Sequence, residues 1–174
     1  LAAAGIRVPV VDVSQSRLAR LRDNLARTGL AAETVCADAA RWRPAQPPDH
    51  ILLDAPCSAS GIFRRHPDVL ATWREQDLPA LVALQASLID HALDLLRPGG
   101  RLLFCTCSLE PEEGEMQLAA LGQRRSDWRR VPIRDDELPA GLMPTADGAL
   151  RTLPGQLADA GGLDAFFIAR IEKA

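Results

Sequence analysis

Short apolar runs alternate along this chain with longer segments in which apolar residues recur every three or four positions. Four runs have the length of a buried strand, at residues 8–12, 33–37, 50–53 and 101–105. After the first run come Ser14, which favours a helix start, then Leu18, Leu21 and Leu25 at helical spacing, then Gly29. This order predicts a strand, a helix that ends at Gly29, and a second strand.

The second half of the chain continues the alternation and then departs from it. Residues 67–96 carry helical segments, and Pro111 suits the start of another helix. Two further apolar runs, 127–133 and 163–171, have no long helix between them, which favours an antiparallel pair at a sheet edge. We therefore expect an α/β fold with a mostly parallel sheet, covered on both faces, and an antiparallel C-terminal edge.

Polar side chains stand at or just after the ends of the four predicted parallel strands. They are Asp12, Asp38, Asp54 and Cys107. In sheets of this kind ligands bind beyond the carboxyl ends of the strands, so we expect these four residues to share one rim. Taken singly, each aspartate has another explanation, because an aspartate after a strand often caps the next helix or closes a turn.

The composition narrows the class of protein. With 47% hydrophobic and 25% charged residues, the 174-residue chain is typical of a globular domain, which excludes a disordered or fibrous protein. A formal net charge of -3 gives no broad attraction to a polyanion, so a nucleic acid would need a local patch or another domain. We find no apolar run long enough to cross a membrane, and within residues 1–174 no charged leader precedes an apolar stretch. Four cysteines in strand and loop positions favour reduced thiols.

The cysteines allow two kinds of chemistry. Cys105 and Cys107 lie two residues apart, but no second pair of ligands completes a zinc site, so we expect no metal. Cys105 and Cys36 are interpreted as buried strand residues, since a free cysteine packs as a small hydrophobe. Cys107 lies just beyond its strand and near a helix start, which favours a thiolate nucleophile. The acidic stretch 110–115 would raise its pKa unless those carboxylates point away, so the residues alone leave its role open.

Two motifs together carry a family resemblance. The stretch HILLDAPCSASG, residues 50–61, precedes IFRRHPD, and LRPGGRLLFCTCSLEPEEGE follows at residues 96–115. With the tail segments LPG and GLDAFFIARIEK, they resemble the RNA cytosine-5 methyltransferases that use S-adenosylmethionine, and most closely the bacterial RsmB or Sun branch that acts on small-subunit ribosomal RNA. The similarity covers essentially the whole chain and implies a Rossmann-like class I methyltransferase fold.

The resemblance implies a separate role for each of the residues at or near the strand ends. Cys107 matches the family's nucleophile, which adds to carbon 6 of cytosine, and Cys57 matches the second cysteine, which resolves the covalent adduct. Asp54 matches an acid that hydrogen-bonds the base and borders the cofactor. Asp12 and Asp38 match the acids that bind the ribose and the adenine of S-adenosylmethionine. The expected protein is therefore a cytoplasmic enzyme with RNA as its partner.

The target base must be unstacked, so the resemblance implies single-stranded RNA or a flipped cytosine. Arg64, Arg65 and His66 follow the Cys57 loop and are candidates for phosphate contacts, with a solvated charged loop as the alternative. Trp73 is either an RNA-stacking residue or a packing residue. We interpret the other large aromatic residues as structural, namely Trp42, Trp128, Phe166 and Phe167.

The family also carries a glycine-rich strand-to-helix turn with a lysine upstream of the strand that bears the ribose acid. Here only residues 1–7 precede that strand. We therefore expect residues 1–174 to be a single catalytic domain that lacks its first strand and the N-terminal RNA-binding domain, and to bind S-adenosylmethionine poorly in isolation. A catalytically silent RNA-binding or scaffold fragment is the alternative function; methylation of an amino group is disfavoured because the Asp54 loop lacks the Pro-Pro-aromatic sequence.

Overall fold

A computed structural model describes residues 1–174. Its strands are β1 (Pro9–Asp12), β2 (Glu33–Cys36), β3 (His50–Asp54), β4 (Arg101–Thr106), β5 (Trp128–Arg130), β6 (Leu150–Thr152) and β7 (Phe166–Lys173). Its α-helices are α1 (Gln15–Thr28), α2 (Val69–Thr72), α3 (Leu78–Leu95) and α4 (Glu115–Arg124). Short 3-10 helices occupy Ala2–Ala4, Ser60–Ile62, Glu75–Asp77, Pro111–Glu113, Asp135–Glu137 and Ala158–Ala160. The chain forms two compact units, residues 1–43 and 44–174, which are described separately.

The first unit is the predicted strand, helix and strand. Ser14 caps α1 by accepting a hydrogen bond from the backbone N–H of Arg17, and Gly29 ends the helix in the left-handed conformation at φ 66°. β1 and β2 pair in parallel, from Pro9 opposite Glu33 to Asp12 opposite Cys36. The caps and the helical leucine spacing were sufficient to predict this unit because all of its signals are local.

The second unit contains a mixed sheet in the order β3-β4-β7-β5, with β6 also paired to β7. β3 and β4 are parallel, and β7 is antiparallel to β4, β5 and β6. The predicted antiparallel C-terminal edge is thus confirmed, while β6 was missed because three residues are too few for a periodic signal. Pro111 begins a 3-10 turn, and the α-helix itself starts at Glu115.

The core of the second unit lies where α3 and α4 pack on the sheet. Its buried side chains include Leu93 of α3, Leu121 of α4, Phe104 of β4 and Phe167 of β7, each 0% exposed. The two phenylalanine rings meet edge to face with centroids 6.2 Å apart. Each such side chain contributes about 1.5–3 kcal/mol through burial, so this cluster anchors the strands whose ends carry the cysteine loops.

One expectation from the sequence needs correction. The helical stretch Glu75–Leu95, 21 residues long, has the length and apolar composition of a membrane-crossing helix, although no such run was expected. Within it Leu88, Ile89 and Leu93 are buried, and the last two belong to the core cluster of the unit. A core helix that packs in this way satisfies the same criterion of length and composition.

Candidate active site

Two thiols from different loops meet at the carboxyl ends of β3 and β4. Cys57 follows β3 and Cys107 follows β4, and their sulfur atoms are 3.5 Å apart. Because β3 and β4 are adjacent and parallel, their carboxyl ends lie at the same edge of the sheet. Both cysteines are half-buried, so the pair is accessible without being fully solvated.

Backbone hydrogen bonds hold the two loops together. The Ala55 N–H donates to the Cys105 carbonyl at 2.9 Å, and the Gly61 N–H donates to the Cys107 carbonyl at 3.0 Å. The Gly61 carbonyl in turn accepts from Ala165 at 2.9 Å. A Cβ atom at Gly61 would lie 2.5 Å from the Ala165 oxygen and 2.9 Å from the Cys107 oxygen, so only glycine permits this approach.

The contact between the thiols makes them unequal. With Cys57 as donor, the hydrogen bond to the Cys107 sulfur lowers the pKa of Cys107, against opposing effects of burial and of the Asp54 and Glu113 carboxylates. The same hydrogen bond, followed by burial, raises the pKa of Cys57. Cys107 is therefore the thiol favoured as a thiolate, which is the property that a nucleophile needs.

The other two cysteines are not equivalent to this pair. Burial, with smaller effects of Asp54 and Cys107, raises the pKa of Cys105 to about 12, and its thiol donates weakly to the Leu53 carbonyl at 3.5 Å. Cys105 lies in β4, as expected, but it is half-buried and not fully buried. Cys36 is exposed at the end of β2, so the prediction of a buried Cys36 is wrong. No group of three or more His, Cys, Asp or Glu side chains has an arrangement suited to a metal ion.

Asp54 ends β3 with its side chain exposed, beside the thiols. It lies opposite Cys105 in the strand register, and the Cys105 thiol approaches its carboxylate at 3.9 Å. Its negative charge acts on both Cys105 and Cys107 by raising their pKa values. The structure thus places Asp54 at the same edge of the sheet as the Cys57–Cys107 pair.

Asp12 and Asp38 belong to the first unit, where Asp12 is the last residue of β1 and Asp38 follows β2. Asp12 accepts from the Ser14 N–H at 2.6 Å and lies 3.8 Å from the Arg17 guanidinium, so it also takes part in the helix start. Asp38 accepts from the Ala40 N–H at 2.9 Å. A carboxylate has about four acceptor positions, and these side chains are 28% and 54% exposed, so both keep free positions for hydroxyl or amino donors. These free acceptor positions fit the donors of a nucleoside, the ribose hydroxyls and the adenine amino group.

The basic segment after the Cys57 loop is exposed but has partners within the chain. Arg64 donates to the carbonyls of Leu163, at 3.1 Å, and Gly161, at 2.9 Å. Arg65 forms an ion pair with Asp164. The His66 side chain is exposed. The two arginines therefore fix the loop that leads into β7, and each retains an exposed face toward solvent.

Trp73 lines an apolar cavity of about 220 Å³ beside the two cysteine loops. Ser60, Phe63, Leu70, Leu109 and Glu110 complete the lining. Ser60 is close to Cys57 in the chain, and Leu109 is close to Cys107. Trp73 is half-buried, so its ring both packs and borders an open apolar surface.

Sequence reasoning missed a buried polar network beneath the thiols. The Glu113 side chain is 0% exposed and accepts hydrogen bonds from Ser58 and Gln85. Gln85 is also 0% exposed, and Gln117 donates to its carbonyl oxygen at 3.0 Å. In the sequence Glu113 stands out only as one of several acids near Cys107, because its partners are distant along the chain.

Arg151 of β6 supports the Cys107 loop from another side. It donates to the Ser108 carbonyl, forms an ion pair with Glu115 at 2.6 Å, and stacks over the Phe167 ring with its guanidinium carbon 5.1 Å from the centroid. Its side chain is 13% exposed, so these contacts are largely shielded from water. No sequence signal pointed to Arg151, which lies in the strand that was not predicted.

The fold is similar to solved structures that define the class of protein. Among similar structures are NSun6 from Pyrococcus horikoshii with SFG, at 26% identity and a TM-score of 0.78 over 96% of this chain and 41% of that one. Another is a methyltransferase homologue from Pyrococcus horikoshii, at 28% identity and a TM-score of 0.71 over 97% of this chain and 53% of that one. The chain has the Rossmann-like fold of the class I S-adenosylmethionine-dependent methyltransferases.

The sequence comparison identifies the family within this class. The family described as 16S rRNA methyltransferase RsmB/F matches residues 1–172, and the chain belongs to it. It is 38% identical to the ribosomal RNA small subunit methyltransferase B of Vibrio cholerae over 170 residues, which cover 96% of this chain and 36% of that protein. The chain thus spans little more than a third of the curated relatives it matches. The resemblance inferred from the two cysteine motifs is confirmed.

Proposed function

We propose that residues 1–174 act as the catalytic domain of an S-adenosylmethionine-dependent methyltransferase that modifies carbon 5 of a cytosine in RNA. The relatives named above point to small-subunit ribosomal RNA as the substrate, and hence to action in the cytoplasm. One observation carries the proposal. Two thiols from separate strand-end loops approach to 3.5 Å, and one has its pKa lowered by the other.

The proposed reaction explains why two thiols are needed. Carbon 5 of cytosine is a poor nucleophile, and addition of the Cys107 thiolate to carbon 6 makes carbon 5 electron-rich. Asp54 lies next to this thiolate and hydrogen-bonds the base, which helps to accommodate the charge that develops on the ring during addition. S-adenosylmethionine, when bound, supplies the methyl group.

Cys57 acts in the second half of the proposed reaction. After carbon 5 has been methylated it still carries its proton, and carbon 6 is still bonded to the Cys107 sulfur. Removal of the proton leaves its electron pair to form the carbon 5–carbon 6 double bond, while the carbon–sulfur bond breaks and its pair returns to Cys107. Once Cys57 has lost its own proton to solvent, its thiolate is placed to accept the carbon 5 proton.

The remaining site residues bind rather than react. Asp12 and Asp38, with their free acceptor positions, are the candidates for the ribose hydroxyls and the adenine amino group of the cofactor. Arg64, Arg65 and His66 keep exposed surface for the phosphates that flank the target nucleotide. The base itself must leave its stack to expose carbon 6 to the thiolate, so the RNA is single-stranded or flipped at this position.

The experiment that tests the function is trapping on RNA that contains 5-fluorocytosine. The full-length protein is incubated with this RNA and S-adenosylmethionine. Fluorine at carbon 5 blocks the release step, so the nucleophile stays bonded to the base, and mass spectrometry of the peptides identifies it. An adduct on Cys107, absent from Cys107→Ala and retained in the control Cys105→Ser, is the expected result.

Two other results would change the assignment. An adduct on Cys57 would exchange the roles of the two thiols. A folded, cofactor-binding protein that binds RNA and forms no adduct would instead favour the catalytically silent RNA-binding function.

A further inference from the structure

The buried carboxylate of Glu113 has no function in the reaction described above. It is 0% exposed and its hydrogen-bonding partners are all uncharged: the Ser58 N–H at 3.0 Å, the Ser58 hydroxyl at 2.6 Å and the Gln85 side-chain amide at 2.9 Å. Burial of a carboxylate without a cation is costly and is tolerated only where several donors converge on it. Because this arrangement is costly, we looked for a function of the network in the site.

The network surrounds Cys57 on both sides along the chain. Glu113 binds the backbone and hydroxyl of Ser58, the residue after Cys57. The Gln85 amide that donates to Glu113 also donates to the carbonyl of Pro56, the residue before Cys57, at 2.9 Å. Gln117 donates to the Gln85 oxygen at 3.0 Å, which fixes the orientation of that amide. Cys57 is thus the one residue between two anchored neighbours.

A line of hydroxyl groups extends the network to the second cysteine loop. Because a carboxylate only accepts, the Ser58 hydroxyl gives its proton to Glu113 and must accept from its other neighbours. The Ser108 hydroxyl lies 3.1 Å from that of Ser58, and Ser108 directly follows Cys107. The Glu113 backbone is itself tied to β4, since the Thr106 hydroxyl donates to its carbonyl at 3.0 Å. Glu113 is thereby connected to both loops, directly at Ser58 and through the Ser58 hydroxyl at Ser108.

We propose that Glu113 is a positioning residue that holds Cys57 against Cys107 and so permits release of the covalent RNA adduct. The positioning of Cys57 is independent of the proposed function, and only the role in adduct release rests on it. Glu113 touches neither the base nor the thiols, and it acts through Ser58 and Gln85. In the release step the carbon 5 proton must pass to the Cys57 sulfur as the bond between carbon 6 and the Cys107 sulfur breaks, so a displaced Cys57 impairs release more than addition.

The first test measures the thiol geometry without RNA. Diamide accepts the two hydrogen atoms of a thiol pair as the disulfide forms, and its rate of reaction depends on how often the sulfurs meet. In Glu113→Gln one carboxylate oxygen becomes an amide that cannot accept from Ser58 or Gln85, and the Cys57 loop loosens. We expect formation of the Cys57–Cys107 disulfide, mapped by mass spectrometry, to slow at least threefold relative to Glu112→Gln.

The control variant Glu112→Gln removes the same charge from the adjacent residue, which lies outside the network. Loss of the charge by itself would speed disulfide formation in Glu113→Gln. The Glu113 carboxylate raises the pKa of Cys107, so its removal favours the reactive thiolate. A slower reaction therefore reports separation of the sulfurs. If Glu113→Gln forms the disulfide as fast as Glu112→Gln, the positioning role is overturned, whatever the protein does to RNA.

The second test uses ordinary RNA without fluorine and the full-length protein. We expect Glu113→Gln to retain the addition of Cys107 but to lose at least tenfold in turnover, with the covalent complex accumulating as it should in Cys57→Ala. Unchanged turnover in Glu113→Gln, or lost turnover with no accumulated complex, overturns the role in release. If wild-type protein gives no 5-fluorocytosine adduct while the disulfide test succeeds, the proposed function fails and the positioning of Cys57 stands.

A thermal melt of each variant identifies loss of folding. Should Glu113→Gln fail to fold, Ser58→Ala serves in both tests, since it removes the hydroxyl contacts to Glu113 and Ser108 but leaves the carboxylate and Gln85 in place. We expect the disulfide rate and the turnover of Ser58→Ala to fall as in Glu113→Gln, but by a smaller factor. A Ser58→Ala protein with the disulfide rate and turnover of Glu112→Gln would count against the proposal.

Discussion

The packing at Gly61 allows one perturbation to be worked out in detail. Gly61 is buried in the short 3-10 helix Ser60–Ile62 of the Cys57 loop, with hydrogen bonds to Cys107 and Ala165. In Gly61→Ala the new Cβ would meet the Ala165 oxygen at 2.5 Å, the Ala165 Cβ at 2.8 Å and the Cys107 oxygen at 2.9 Å. None of these atoms is the end of a flexible side chain, so the backbone itself must move.

The expected cost has two parts. Overpacking a buried position typically costs about 1–3 kcal/mol. The movement also stretches the two backbone hydrogen bonds of Gly61, each with a net contribution of about 1 kcal/mol. Since partial relaxation relieves some of both, we expect Gly61→Ala to lower the free energy of unfolding by about 2–4 kcal/mol. That is a large part of the roughly 5–15 kcal/mol by which a domain is stable.

Urea denaturation followed by circular dichroism measures this change. With an m value of about 2 kcal/mol/M, the midpoint should fall by roughly 1–2 M. Gly155→Ala is the matched control, because Gly155 is exposed and a Cβ there meets no atom within 4 Å. We expect the control to lie within about 0.5 kcal/mol of the wild type. Equal midpoints for the two variants would refute the argument that the loops require glycine at position 61.

Three further predictions concern the thiols, the charged surface and the core. Cys57→Ala removes the hydrogen bond that lowers the pKa of Cys107, so the pH profile of Cys107 alkylation by iodoacetamide should move to higher pH; an unchanged profile contradicts this cause. The hydrogen bond from Arg170 lowers the pKa of Glu137 from 4.5 to about 2, so stability is present above pH 4.5 and is lost as the pH falls toward 2. Glu137→Gln should make that acid-induced loss shallower in urea titrations, and an equally steep loss argues against the ion pair. Phe167→Ala should cost about 3–5 kcal/mol by the same assay, because its ring is 0% exposed; a cost below 1 kcal/mol would place it outside the core.

The local elements and the chemical motifs could be predicted from the sequence. Ser14 and Gly29 predict the ends of α1, because the caps that they form involve only nearby residues. The strand-end positions of Asp54 and Cys107 follow from apolar runs and their boundaries, and parallel pairing then brings the ends to one edge. The two cysteine motifs sufficed to identify the family, which matches residues 1–172.

Two features depend on distant neighbours and could not be predicted from the local sequence. Cys36 was interpreted as buried because it lies in an apolar strand, yet it is exposed at the strand end. Arg64 has the sequence context of an open basic loop, but its guanidinium binds carbonyl groups almost a hundred residues further along the chain. Neither the exposure of one side chain nor the partner of the other is encoded in the adjacent residues.

The sequence by itself determined which residues stand at the strand ends and which of them are thiols and carboxylates. Only the tertiary structure decided how they act on one another. Glu113 is 55 residues from Ser58 and 28 from Gln85, yet their hydrogen bonds surround Cys57. The 3.5 Å contact that distinguishes Cys107 from Cys57 likewise joins residues 50 apart. Such contacts depend on the packing of α3, α4 and two strands, because hydrogen bonds and pKa shifts depend on distance in space rather than along the chain.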